Sequence, residues 1–189
     1  MKRGFKTHAE RIATEIRDEL DLSDDARLEP LELAEHLAIP VLGLGELSRV
    51  APKDSFSQYF VVADPGSFSA VTIFRGYKRL IVHNESHHPN RQASNLSHEV
   101  SHSLLEHKPT PVVSADGQRY WDPEVEEEAS WLGAALLVPR SGALSMAKSD
   151  CTVAEIAAHY GVSESLARWR ITQSGVAQQV QRWKRYWRN

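Results

Sequence analysis

Cysteine is almost absent from this sequence, because Cys151 is the single one among 189 residues. A disulfide within the chain is therefore excluded, and no sequence neighbour would lower the pKa of the Cys151 thiol as a nucleophile requires. Long apolar runs are also missing. The sequence thus predicts no membrane span and, after the basic start at residues 1–6, no secretion signal. We therefore expect a cytoplasmic protein without membrane contact.

An excess of charge of one sign is missing too. The formal net charge is −3, so the whole-chain charge does not indicate a nucleic-acid-binding protein. The hydrophobic fraction of 41% and the charged fraction of 25% are those of an ordinary globular protein. The length suits one domain with a small appendage, and we predict a main domain at 1–147 and a helical segment at 148–189.

One short motif carries most of the chemical information. His98, Glu99 and His102 form the pattern H-E-x-x-H inside a helix predicted at about 91–106. Residues four apart share a helix face, so both imidazoles can bind one metal ion. Glu99 lies about 100° further round the helix axis, where its carboxylate can act on a water. Zinc lowers the pKa of such a water to about 7, and a nearby carboxylate can take its proton. The alternative is a surface helix with two solvated histidines.

A second long helix has clear predicted ends. Asp122 is a good N-cap, Pro123 suits the first helical turn, and Pro139 stops the helix after Val138. From Ala129 onwards the segment is nearly all apolar, which predicts that it is buried.

Glu126 is the candidate third ligand. It shares a helix face with apolar positions three and seven residues later, so its carboxylate should point towards the buried side. A buried carboxylate without a partner is unfavourable, and a metal ion would remove that penalty. Two histidines and one glutamate form a known catalytic zinc set. The pattern favours Glu126 over Glu127 or Glu128, which stay open as alternatives.

Together these segments resemble the ImmA/IrrE family of metallopeptidases, over roughly residues 7–175. The resemblance implies an α+β protein with a small zincin-like fold of the gluzincin type and a short, mostly antiparallel sheet. It also implies zinc bound by His98, His102 and Glu126, with Glu99 as the general base. Manganese, iron or cobalt could replace zinc on such ligands. The residues that carry the resemblance are Leu80–Asn84, Asn95–His102, and Glu126 followed by Ala129, Ser130, Leu132, Gly133 and Leu136–Pro139.

The resemblance also implies a substrate. Family members typically cut a helix-turn-helix transcriptional repressor and so derepress genes, in stress responses or in mobile elements and phages. We therefore expect a protein substrate of that kind. The sequence departs from the common family pattern at a few places, and none of them removes a ligand. Ser101 stands where Gly is common, Ser130 stands where Asn is common, and Leu132-Gly133 stands where Phe-Ala is common.

Apolar segments around the motif predict the remaining elements. We expect helices at about 7–20 and from Pro30, the first with a capping box from Thr7 to Glu10. Short strands are expected at 41–44, 59–63, 69–74 and 80–83. An edge strand beside the motif could pair with an extended peptide substrate. A second metal site at His83, His87 and His88 is disfavoured, because adjacent side chains diverge.

The C-terminal segment allows two interpretations. Helices predicted at 152–161 and 163–171, joined at Gly161, are typical of a helix-turn-helix element. Arg168, Arg170 and the basic, Trp-containing tail could contact DNA, or the helices could pack on the core or dock the substrate. The alternative function is accordingly a DNA-binding or protein-binding, antitoxin-like regulator whose zinc site is structural or idle. A hydrolase acting on something other than protein is a third possibility.

Overall fold

The computed structural model describes residues 1–50, 68–75, 78–108 and 122–187. These residues form a mixed α+β structure with nine helices and three strands. No helix among them combines the length and apolar character needed to cross a membrane. In chain order the elements are α1 (Phe5–Glu19), α2 (Pro30–His36), β1 (Val41–Gly43), α3 (Leu44–Val50), β2 (Ala70–Arg75), β3 (Lys78–His83), α4 (Pro89–Leu104), α5 (Pro123–Leu137), α6 (Arg140–Lys148), α7 (Val153–Tyr160), α8 (Glu164–Gln173) and α9 (Val176–Trp187).

The three strands form a mixed sheet in the order β1-β3-β2. The central strand β3 pairs in parallel with β1, where Leu42 is opposite Val82, and antiparallel with β2, where Val71 is opposite the same residue. The sequence predicts a mostly antiparallel sheet. Of the two described pairings, one is antiparallel and the other is parallel. The strand predicted at 59–63 lies outside the described residues.

The two helices that carry the candidate ligands begin at capping residues. The Asp122 carboxylate accepts from the backbone N–H groups of Glu124 at 3.0 Å and Val125 at 3.4 Å, and α5 ends just before Pro139, as predicted. Helix α4 begins two residues earlier than expected. There the His88 imidazole accepts from the backbone N–H of Asn90 at 3.2 Å and so takes the place of an N-cap side chain.

Two local predictions differ from the structure. The capping box at Thr7–Glu10 is wrong, because α1 already begins at Phe5, after Gly4 with φ +86°. Glycine adopts this left-handed conformation without a steric penalty, so the chain enters the helix one turn earlier. The buried stripe of Ala9, Ala13 and Ile16 is nevertheless as expected. Neither α3 nor α6 is predicted from the sequence pattern.

Helix α5 lies at the centre of the hydrophobic core. Leu132, Ala135 and Leu136 pack in a cluster shared with α1, α2 and α4, and none of the three is exposed. Leu137 and Val138, at the end of the same helix, join a second cluster formed with α6, α7, α8 and α9. The predicted burial of this apolar segment is therefore confirmed.

Helices α7 and α8 begin at the predicted caps, and α8 ends two residues later than predicted, at Gln173. Thr152 and Glu155 form a capping box at α7, Gly161 ends that helix with φ +64°, and Ser163 caps α8. These contacts are local and do not establish DNA binding, which stays a prediction. The division of the chain at 147/148 also stays a prediction.

Arg170, one of the two arginines assigned to a possible DNA surface, is completely buried. Its Nε donates to the Val138 carbonyl at 3.0 Å, and its terminal nitrogen donates to Glu10 Oε2 at 2.6 Å. The interpretation in which Arg170 contacts DNA is therefore contradicted for this residue, because its guanidinium is already bonded inside the protein. Arg168 on the same helix is 66% exposed and pairs with Glu164 across one turn.

Replacing Arg170 with alanine should destabilise the protein. The change removes a fully buried side chain and its ion pair with the partly exposed Glu10, and it leaves the Val138 carbonyl without that donor. We therefore expect a loss of about 2 to 5 kcal/mol in the free energy of unfolding. Arg168→Ala is the matched control on the same helix and should change it by less than about 0.5 kcal/mol. Urea denaturation would measure both, and equal effects would contradict the assignment.

Candidate metal centre

The three candidate metal ligands lie close together in the structure. They are His98, His102 and Glu126, and 28 positions separate the first from the last in the chain. The two Nε2 atoms of the histidines are 3.0 Å apart. Glu126 Oε2 is 3.2 Å from His98 Nε2, and Glu126 Oε1 is 3.8 Å from His102 Nε2. Zinc binds nitrogen and oxygen at about 2.0 to 2.2 Å, so three donor atoms this close together could surround one ion.

The close packing of α4 against α5 creates this arrangement. A Cβ atom at Gly133 would lie only 3.2 Å from the backbone nitrogen of His98 and from the backbone of Ser97. The absence of a side chain at Gly133 therefore lets the two helix backbones approach beside the first histidine. Two turns earlier on α5, Glu126 reaches the same space.

The other two acidic candidates face elsewhere. The Glu127 side chain is 58% exposed. Glu128 is buried, and its Oε2 lies 3.6 Å from Nε2 of His107. Of the three adjacent glutamates, Glu126 is the one whose carboxylate lies within 4 Å of both motif imidazoles. Its role as a metal ligand is a prediction that this geometry favours.

Burial keeps the second motif histidine, His102, in its neutral form. Burial, with a smaller contribution from the nearby His98 ring, lowers the pKa of His102 to about 4. A neutral imidazole is the form that binds a metal. Ser130, which stands where the family commonly has Asn, places its Oγ 3.3 Å from His98 Nδ1 on the side of the ring away from Glu126.

Glu99 lies beside the ligand group but does not belong to it. Its Oε2 accepts a hydrogen bond of 2.6 Å from the Thr72 hydroxyl on β2. Burial raises the pKa of the Glu99 carboxyl above its ordinary value, whereas the Thr72 hydrogen bond and His98 oppose that rise. Chemically, this is a carboxylate held by one oxygen and able to accept a proton through the other. Sequence reasoning missed Thr72, because it is a single residue on a strand and belongs to no motif.

The second histidine cluster does not assemble a metal site in the described part of the chain. His88 caps α4, and His83 is buried, which lowers its pKa. His87 Nε2 lies 3.3 Å from the Asn84 side-chain nitrogen. Among the described residues, the three-residue group able to hold a metal is the one formed by His98, His102 and Glu126.

A cavity of about 400 Å³ opens beside His98. Its walls come from α4, α5 and α8 and include Ser130, Gly133, Leu166 and Trp169. Of the three candidate ligands, His98 is the one that lines this cavity, which has both polar and apolar walls.

Comparison with known proteins gives one match. The Peptidase_M78 family model, described as the IrrE N-terminal-like domain, matches residues 56–172, which is more than half of the chain. No curated protein and no solved structure matches.

Removing the Glu126 carboxylate should greatly weaken metal binding. We expect the parent protein to hold about one zinc ion per chain, and Glu126→Ala to lose most of it, because a carboxylate is one of the three protein ligands of such a site. Elemental analysis after dialysis would measure the metal content. Glu127→Ala is the matched control and should keep the parent value. Equal zinc in the two variants would contradict the assignment of Glu126.

Proposed function

The chain belongs to the ImmA/IrrE family of metallopeptidases, and we propose that it is a zinc-dependent endopeptidase. The observation that carries the proposal is the convergence of two imidazoles and one carboxylate, with a separate carboxylate beside them. His98, His102 and Glu126 would hold the metal, and Glu99 would act as the general base. Family membership supports a divalent metal, and the donor set of two nitrogens and one oxygen favours zinc.

In the proposed reaction the metal, when bound, polarises the peptide carbonyl and makes the attacking water more acidic. Glu99 takes one proton from that water as the new C–O bond forms, and then gives it to the leaving nitrogen as the C–N bond breaks. The Thr72 hydroxyl holds one Glu99 oxygen at 2.6 Å and so leaves the other for the proton. His98 and His102 act as metal ligands and take no part in the proton transfer.

An extended peptide suits the surroundings of the site. Within the described residues β2 lies at one edge of the sheet, and its Thr72 contacts Glu99. A peptide paired with that edge would pass close to the general base. The cavity beside His98 has room for one substrate side chain. On these grounds we propose a protein substrate and, from the family, a helix-turn-helix repressor whose cleavage derepresses genes.

The regulator alternative has weaker support. It needs cationic side chains on the C-terminal helices to face a phosphate backbone, and Arg170 is bonded to Glu10 and Val138 instead. We therefore propose that α7 and α8 support the end of α5, and that α8 also lines the cavity beside His98.

Replacing Glu99 with glutamine should separate metal binding from catalysis. Glutamine has nearly the same shape but cannot accept the proton, so we expect full zinc content and a 10²- to 10⁴-fold lower cleavage rate, as is typical for the loss of a general base. The assay would incubate the zinc-loaded protein with helix-turn-helix repressors from the same organism and identify fragments by mass spectrometry. Glu46→Gln, at an exposed position on α3, is the control. Cleavage by Glu99→Gln at the parent rate would exclude the mechanism.

The Thr72 hydroxyl should matter for rate but not for metal content. A hydrogen bond to a charged group contributes about 1.5 to 3 kcal/mol, so we expect Thr72→Val to lower the cleavage rate about 10- to 100-fold with unchanged zinc. Thr72→Ser keeps the hydroxyl and should stay close to the parent rate. If the serine variant is as slow as the valine variant, Thr72 acts through packing and not through its hydrogen bond.

A further inference from the structure

A third histidine lies directly behind the candidate ligand His102. The two Nδ1 atoms of His102 and His107 are 2.9 Å apart, and the ring centroids are 5.1 Å apart. The opposite nitrogen of His102, Nε2, is the one that faces His98 and Glu126. Both rings are largely enclosed, with side chains 16% and 11% exposed. His107 has no role in the reaction proposed above.

The number of protons on these rings fixes the direction of their hydrogen bond. A neutral imidazole that offers Nε2 to a metal must carry its hydrogen on Nδ1. His102 therefore donates from Nδ1, and His107 Nδ1 accepts. A neutral His107 that accepts on Nδ1 must in turn carry its hydrogen on Nε2. One tautomer of His107 is thus compatible with a metal on His102.

A buried carboxylate lies near the ring nitrogen that carries this second hydrogen. Glu128 Oε2 is 3.6 Å from His107 Nε2, and the Glu128 side chain is 10% exposed. Its other oxygen accepts the backbone N–H of Lys2 at 3.4 Å. The 3.6 Å separation is longer than a direct hydrogen bond, but a negative charge this close and this little exposed to water favours a hydrogen on the facing ring nitrogen. Glu128 therefore favours the tautomer of His107 that accepts from His102.

The end of α4 positions His107 by a specific turn. Glu106 has φ +52°, a left-handed conformation seldom adopted by residues other than Gly and Asn. The backbone N–H of His107 bonds to the His102 carbonyl at 3.0 Å, and that of Glu106 bonds to Ser103 at 3.2 Å. This pair of bonds is the Schellman motif. It folds the chain back so that the His107 ring lies against the His102 ring.

We propose that His107 and Glu128 are positioning residues that hold His102 with its hydrogen on Nδ1 and its Nε2 lone pair towards the metal. Metal-bound histidines are commonly oriented in this way by a partner on their second nitrogen. Here the partner is itself a histidine, oriented by a carboxylate from α5. The same helix thus supplies the third ligand, Glu126, and the last member of this chain of contacts. The inference rests on the proposed metal site.

Two substitutions of His107 separate hydrogen bonding from packing. His107→Asn places an amide oxygen near the position of Nδ1 and keeps an acceptor for His102, but it loses ring volume. His107→Phe keeps the ring volume and loses the acceptor. Zinc dissociation constants would be measured by competition with a chelator on the full chain, with His36→Gln on the exposed face of α2 as the control.

We expect His107→Phe to weaken zinc binding about 10- to 100-fold, the usual effect of losing such a partner, and His107→Asn to stay within a few-fold of the parent. A packing role would give the opposite order and would overturn the proposal. Equal zinc affinity in the parent and both variants would overturn it as well.

A second readout does not depend on affinity. In the zinc-loaded parent the His102 Nδ1 hydrogen should exchange slowly with water and give a resolved imidazole N–H resonance in proton NMR. The resonance should persist in His107→Asn and be lost to fast exchange in His107→Phe. Its persistence in His107→Phe would overturn the proposal. A parent that binds no zinc would instead show that the proposed function fails, which the parent titration reveals before any variant is compared.

Discussion

The close packing of α4 against α5 is the constraint on which the candidate site depends. Gly133 allows it, because any side chain there would press on the backbone of α4 at His98. Metal sites tolerate errors of only about 0.2 Å in their ligand distances. A shift of α4 by a few tenths of an ångström would therefore change the separation between His98 and Glu126. The glycine contact and the donor geometry are parts of one packing arrangement.

Helix α5 combines a polar end and an apolar end with different tasks. Its first turns carry Glu126 and Glu128. Glu126 lies near His102 Nε2, whereas Glu128 lies near His107, which contacts His102 Nδ1 on the other side of the ring. Its second half is buried in both hydrophobic clusters. Because the apolar half is fixed on several sides, the acidic turns begin from a rigid base, as a preorganised site requires.

The C-terminal helices are tied to the same helix. Arg170 donates to the carbonyl of Val138, which directly follows α5, and also pairs with Glu10 on α1. One buried guanidinium thus links α8, the end of α5 and the first helix. An arginine on a predicted helix-turn-helix segment suggests a phosphate contact from the sequence alone. Its burial depends on three segments far apart in the chain, and no local pattern contains that information.

The sequence by itself determined the features that depend on near neighbours. The helical spacing of His98 and His102, the cap at Asp122 and the stop at Pro139 are local, because periodicity and capping act over three or four residues. The phase of Glu126 on its helix followed from the same periodicity.

Only the tertiary structure decided the contacts between segments. It separated Glu126 from Glu127 and Glu128 by the direction each side chain takes, brought Thr72 to Glu99, and placed His107 between His102 and Glu128. It also showed that α1 begins at Phe5, directly after Gly4, and not at the predicted capping box. The physical reason is that these outcomes depend on distances across the fold, or on a backbone conformation, that no pattern of neighbouring residues specifies.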